Sequence, residues 1–146
     1  MKLVIVIPAF NEEQTLPQVL AAIPPAIPPF AEVETLVVDD GSTDGTASVA
    51  AAAGASVHRL PVHRGLAAAF TAGLEEALRR GADTIVNLDA DGQYDPAEIP
   101  RLLAPILAGE AEMVLGDRGV GTLAHFSPAK RVLQRLGAWA VKKISG

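Results

Sequence analysis

The chain has 146 residues, 49% of them apolar, and no cysteine. That composition supports one α/β domain with a buried core and excludes intrinsic disorder, disulfides, thiolate metal sites and a cysteine nucleophile. The net charge of −5 is uneven: residues 1–127 carry 7 Lys and Arg against 17 Asp and Glu, while residues 128–146 carry Lys130, Arg131, Arg135, Lys142 and Lys143 and no acid, and so acidic a body argues against nucleic acid as partner.

Leu3 to Ile7 is a β-branched run with no polar face, as expected of a central strand in a parallel sheet. It ends too soon, at Pro8, for a signal peptide, and no apolar run approaches the roughly 20 residues of a membrane span. Asn11 is expected to cap a helix with Leu16, Val19, Leu20 and Ile23 inward. The prolines between Pro24 and Pro29 end it. Thr35 to Val38 reads as a second buried strand, closing on Asp39-Asp40-Gly41-Ser42-Thr43-Asp44-Gly45-Thr46, and an alanine-rich helix then runs to about Ala53.

Ser56 to Leu60 is a third, weaker strand. The next helix, from Gly65 to about Arg80, is expected to turn Ala67, Phe70, Leu74, Ala77 and Leu78 inward. Thr84 to Leu88 is a further strand, followed by Asp89-Ala90-Asp91-Gly92-Gln93, with Gly92 suited to a tight turn. Asp95 and Pro96 read as the cap and first position of a helix that Pro100 and Pro105 kink or divide. Met113 to Leu115 reads as a fifth strand, and from Pro128 onward apolar residues recur at helical spacing. The alternation β-α-β-α predicts a mostly parallel sheet with helices on both faces, in a single domain over 1–146.

The polar clusters fall at the carboxyl ends of strands, where an open parallel sheet carries its ligand crevice. Asp89 and Asp91, one residue apart, are hard oxygen donors suited to Mg2+ or Mn2+, which completes its shell with phosphate oxygens and water. There is no glycine-rich dinucleotide fingerprint after the first strand and no Walker loop. Ser42 lacks a nucleophile elbow, and His58, His63 and His125 have no spacing that marks a base.

Val6-Ile7-Pro8-Ala9-Phe10-Asn11-Glu12-Glu13, the Asp39 to Thr46 run, Asn87 to Gln93 and Gly116-Asp117-Arg118 resemble, in order, the successive motifs of family-two inverting glycosyltransferases, and within them the dolichyl- and polyprenyl-phosphate sugar transferases. The resemblance implies a GT-A, Rossmann-like fold binding a nucleotide-diphosphate sugar, UDP- or GDP-linked. It implies that Pro8, Ala9, Phe10, Glu12, Asp39, Asp40, Gly41, Asp89 and Ala90 bind the nucleotide. By the same motifs Asp89, Asp91 and Gln93 meet the metal, Asp89, Asp91 and Arg118 are catalytic, and Arg118 and Arg131 meet an acceptor phosphate.

The activity so implied is a metal-dependent hexosyltransferase acting on a polyprenyl phosphate at the inner face of the cytoplasmic membrane. Such an acceptor oxygen is already charged, so no strong general base is required. The alternatives are a non-catalytic nucleotide-sugar-binding or assembly module, or a nucleotidyltransferase. The latter would carry a glycine-rich basic loop where Pro8 to Glu13 stands. His63 occupies a place where many relatives have asparagine. Relatives continue beyond Gly146, so the expectation is a donor-binding half, incomplete at its C-terminus. The basic terminal stretch is read as a helix packed on the sheet with its cations solvated; the alternative is a face toward anionic lipid.

Overall fold

Four apolar segments build the sheet: β1 (Lys2–Ala9), β2 (Glu32–Asp39), β3 (Ser56–Arg59) and β4 (Thr84–Asn87). The computed structural model describes residues 1–116, of which Met1–Val114 form one compact unit. The strands lie in the order β3-β2-β1-β4 and every pairing is parallel. β1 is buried along nearly its whole length. Its odd residues Leu3, Ile5 and Ile7 join Leu16, Val19, Ile27, Val37, Ile99 and Leu103 on one face, while Val4 and Val6 join Leu36, Val38, Leu60, Ala69 and Ala77 on the other. A strand covered on both faces needs no polar alternation, so its sequence reads as a continuous apolar run.

The helices are α1 (Leu16–Ala22), α2 (Thr46–Ala52), α3 (Leu66–Arg79) and α4 (Ile99–Leu107), the last preceded by a 3-10 turn over Pro96–Glu98. α3 packs against β1 and β2, and its residues Ala69 and Ala77 belong to the Val4 and Val6 core. α1 and α4 supply the Leu3, Ile5 and Ile7 core. Helices therefore cover both faces, as expected. The chain steps from β1 outward through β2 to β3 and then returns to the other side of β1 for β4, so the crevice opens at β1 and β4, where the direction reverses.

Four local expectations are corrected. Asn11 caps no helix: it takes a positive φ of 56° and its Oδ1 accepts the Thr43 N–H at 2.9 Å, leaving Thr15 at the start of α1. α3 buries Ala69, Gly73, Glu76 and Ala77 instead of its large residues, because Gly73 sits so near β1 and β2 that a Cβ there would lie 2.4 Å from Val6 Cγ1. α4 is not divided by its prolines: Pro100 stands in its first turn and Pro105 inside one continuous helix, and the change of helix type falls at Ile99. Met113 to Leu115 forms no strand: Met113 and Leu115 are 76% and 83% exposed. β propensity spans only about 1 kcal/mol and needs pairing and burial to be realised. The basic stretch 128–146 and the Gly119 to Thr122 loop lie outside the described residues.

Candidate active site

The carboxyl ends of β1 and β2 are level, Ala9 opposite Asp39, and the two loops that leave them are stitched together. The Asn11 N–H donates to Ser42 Oγ at 3.0 Å and the Glu12 N–H to Thr46 Oγ1 at 2.8 Å. In return Glu13 Oε2 accepts the Gly45 N–H at 2.7 Å. Burial pushes the Asp44 carboxyl up, but hydrogen bonds from the Thr46 hydroxyl and from the backbone N–H groups of Thr46 and Glu13 outweigh it and hold the group below the usual range. Most of the polar run after β2 thus fixes the shape of the first loop.

Asp39 is fully buried. Its Oδ1 accepts the Ser42 N–H at 2.9 Å, and its Oδ2 faces Arg59 Nε at 3.2 Å, a charge contact without hydrogen-bond geometry. Asp40 points the other way. Its carboxylate accepts the N–H groups of Arg64 at 2.9 Å and Gly65 at 2.8 Å, and His63 Nδ1 lies 2.9 Å from Oδ2. Gly41, at φ 73°, lets the 62–63 backbone come so close that a Cβ would stand 2.6 Å from His63 N. The loop between β3 and α3 is thereby fastened to the end of β2, and the His63 ring stacks on Phe10 at 3.8 Å with 27° between planes.

These contacts enclose a cleft of about 280 Å3 lined by Pro8, Ala9, Phe10, Glu12, Asp40, His63, Leu66, Ala69, Asp89, Ala90 and Asp91. Three separate chain segments predicted to bind the nucleotide therefore meet in one place. Asp39, Gly41 and Gln93 do not line it. Arg118 and Arg131 lie outside the described residues, as does His125. His63, Leu66 and Ala69 are members that the sequence reading did not assign. The signal for them was positional: His63 and Arg64 precede a helix-opening glycine just after a strand, at the same sheet edge as the other motifs.

Asp89 is half-buried and Asp91 exposed. Asp91 Oδ1 accepts the Gln93 N–H at 2.9 Å, and Gly92 takes φ 72° in the tight turn expected of it. Asp95 Oδ1 accepts the Ala97 N–H at 2.9 Å, the predicted cap, while Glu98 meets Arg101 at 3.2 Å. A hard divalent cation fits this donor set. Of the four carboxylate residues that line the cleft, Asp89 and Asp91 are separated by one small buried residue, and no group of three or more His, Cys, Asp or Glu able to hold a metal ion occurs among the described residues. The remaining coordination positions would fall to phosphate oxygens and water, the usual arrangement for Mg2+.

The family model described as glycosyl transferase family 2 matches residues 4–133. The chain is 37% identical over 147 residues to an undecaprenyl-phosphate mannosyltransferase of Micrococcus luteus, covering 94% of this chain and 58% of that protein. It is 40% identical over 139 residues to a polyprenol monophosphomannose synthase of Mycolicibacterium smegmatis, covering 90% and 51%. Among solved structures it resembles glucosyl-3-phosphoglycerate synthase of Mycobacterium tuberculosis in complex with uridine diphosphate, at TM-score 0.60 and 32% identity over 75% of this chain and 41% of that one. The same enzyme has been crystallised with Mn2+, uridine diphosphate and glucosyl-3-phosphoglycerate; that structure matches at TM-score 0.60 and 31% identity, over 75% and 40% of the two chains. The chain spans little more than half the length of the curated relatives named here.

Proposed function

The chain belongs to glycosyl transferase family 2, and from that membership we propose that it takes part in inverting transfer of a sugar from a UDP- or GDP-linked donor to a polyprenyl phosphate. Its parallel sheet with helices on both faces is the GT-A fold implied by its motifs. The observation that carries the proposal is the meeting of Pro8, Ala9, Phe10 and Glu12 with Asp40 and with Asp89, Ala90 and Asp91 in one cleft at the carboxyl edge of the sheet.

In this reading Phe10, Leu66 and Ala69 form the apolar wall against which the nucleoside packs, with Pro8, Ala9, Glu12 and His63 beside it. Asp89 and Asp91 hold Mg2+ or Mn2+, with Gln93 reaching the ion directly or through water. When bound, the cation neutralises the diphosphate leaving group. Asp39 acts from beneath the cleft by bracing the Ser42 turn, and Asp40 with Gly41 by holding the His63 loop.

The acceptor assignment is supported by the names of the two bacterial relatives, and with it we propose that the reaction runs at the cytoplasmic face of a membrane. Arg118 and Arg131 are proposed to meet its phosphate. No helix among the described residues is long and apolar enough to cross a membrane.

Calorimetric titration of UDP and GDP, each with Mn2+ and with EDTA, tests the donor site. We expect one nucleotide to bind with Mn2+ and to be lost with EDTA. Asp91→Ala should abolish the metal-dependent part while leaving the melting temperature within a degree or two, since Asp91 is exposed. Equal binding by Asp91→Ala and wild type in Mn2+ would remove Asp91 from the metal site.

A further inference from the structure

The His63 ring belongs to no expected motif role, yet its surroundings determine which of its nitrogens carries the proton. Nδ1 faces two oxygens, Asp40 Oδ2 at 2.9 Å and the Asp40 backbone carbonyl at 3.3 Å. The carbonyl has no proton to give, and Oδ2 already accepts the Gly65 N–H at 2.8 Å. Nδ1 must therefore be the donor, and in the neutral ring Nε2 is left as an acceptor, since the hydrogen bond at one imidazole nitrogen sets the state of the other. Were the ring to turn over, it would give up its Nδ1 contact with Asp40. It is stacked on Phe10 at 3.8 Å, and its backbone neighbours Arg64 and Gly65 are tied to the same carboxylate.

We propose that His63, fixed by Asp40 and Phe10 as an Nδ1–H imidazole lining the cleft, is a specificity-determining residue that accepts a ring N–H of the nucleobase. The inference rests on the nucleotide-binding reading of this cleft. Uracil and guanine present such a donor, at N3 and N1. Cytosine and adenine present a lone pair at the corresponding edge, which would meet the Nε2 lone pair and leave two acceptors facing each other. A site that hydrogen-bonds its ligand discriminates strongly against an analogue that cannot make the bond, because a desolvated polar group is left unpaired. Asp40 is a positioning residue in this scheme, acting through His63.

The test uses the full 146-residue chain at mildly alkaline pH with Mn2+. Inorganic pyrophosphate, UDP, GDP, CDP and ADP are titrated into wild type and His63→Asn. Asparagine keeps a nitrogen near the position of Nδ1 for Asp40 and removes Nε2. We expect wild type to favour UDP or GDP over both CDP and ADP by about tenfold or more. His63→Asn should reduce that preference to within about threefold with pyrophosphate affinity unchanged. Nitrogen NMR of the labelled imidazole should show a neutral Nδ1–H ring whose Nε2 resonance moves on adding the preferred nucleotide and stays put with pyrophosphate. An Nε2–H ring, or a base preference that survives His63→Asn, overturns the inference and leaves the donor site standing. Failure of wild type to bind pyrophosphate or any nucleotide overturns both.

Discussion

At the scale of single residues, the cleft depends on a glycine that never touches a ligand in the proposed scheme. Gly41 has φ 73° and stands where a Cβ would meet His63 N and the Val62 carbonyl carbon, each at 2.6 Å. Gly41→Ala therefore combines left-handed strain with a backbone collision, neither of which a side-chain rotation relieves. We expect a loss of about 2–4 kcal/mol in urea denaturation, together with weakened nucleotide binding as the 62–65 loop lifts away. Gly81→Ala is the control. Gly81 has φ 77° but nothing within 4 Å of its added Cβ, so it should cost only the strain, about 1–2 kcal/mol. Equal losses at the two positions would show that close approach of the loop contributes nothing.

At the scale of elements, the sequence was legible where large apolar side chains mark burial and illegible where small ones do. β1, β2 and β4 stand out as runs of Val, Ile and Leu because both faces of the sheet are covered; the structure extends β1 and β2 by a few residues and ends β4 at Asn87, just before Leu88. Of the residues expected to face inward on α3, Ala77 is buried and Leu74 half-buried, but Ala67, Phe70 and Leu78 are exposed. Its large residues recur at helical spacing, yet Leu66 and Leu78 are 68% and 64% exposed while Ala69, Gly73 and Ala77 face the sheet. The site divides in the same way. Carboxylates at strand ends are visible in sequence, whereas His63 joins them through Asp40 and Phe10, contacts across more than twenty residues that no local pattern encodes. Gly73 tests the packing. In an exposed helix interior Gly→Ala would stabilise by about 1 kcal/mol. Here the new methyl would lie 2.4 Å from Val6 Cγ1 and 3.0 Å from Val38 Cγ2, and overpacking costs about 1–3 kcal/mol. Gly73→Ala should therefore lower the thermal midpoint. A rise would mean that α3 stands off the sheet.

At the scale of the whole molecule, binding and stability are placed at opposite edges of the sheet. The cleft occupies the carboxyl edge. At the other edge Glu34, near the start of β2, gathers Lys2 Nζ at 2.8 Å, the Ser56 hydroxyl at 2.8 Å and Arg80 Nη1 at 2.5 Å, which joins β1, β2, β3 and the end of α3. Burial by itself would raise the Glu34 pKa, but these three donors outweigh it and bring the group down to about 2. A carboxylate with a depressed folded pKa contributes stability that is fully present above its unfolded value, near 4.5, and is lost as pH falls toward the folded one. Hydrogen bonds to Glu32, at 2.7 Å, and to Glu34 raise the Lys2 pKa, so its share is present below the ordinary lysine value and is lost at strongly alkaline pH. Glu34 is 19% exposed at the sheet rim, where water screens the charges. Its contribution is accordingly set at about 1–2 kcal/mol, below what the full shift would give. Urea melts of wild type should lose that amount between about pH 4.5 and 2, and Glu34→Gln should be less stable at neutral pH and flatter across the acid range. Parallel curves for the two proteins would remove Glu34 as the titrating group. Because the network lies across the sheet from Asp89 and Asp91, Glu34→Gln should leave Mn2+-dependent nucleotide affinity unchanged at neutral pH, so a variant that loses both together would show that the two edges are coupled.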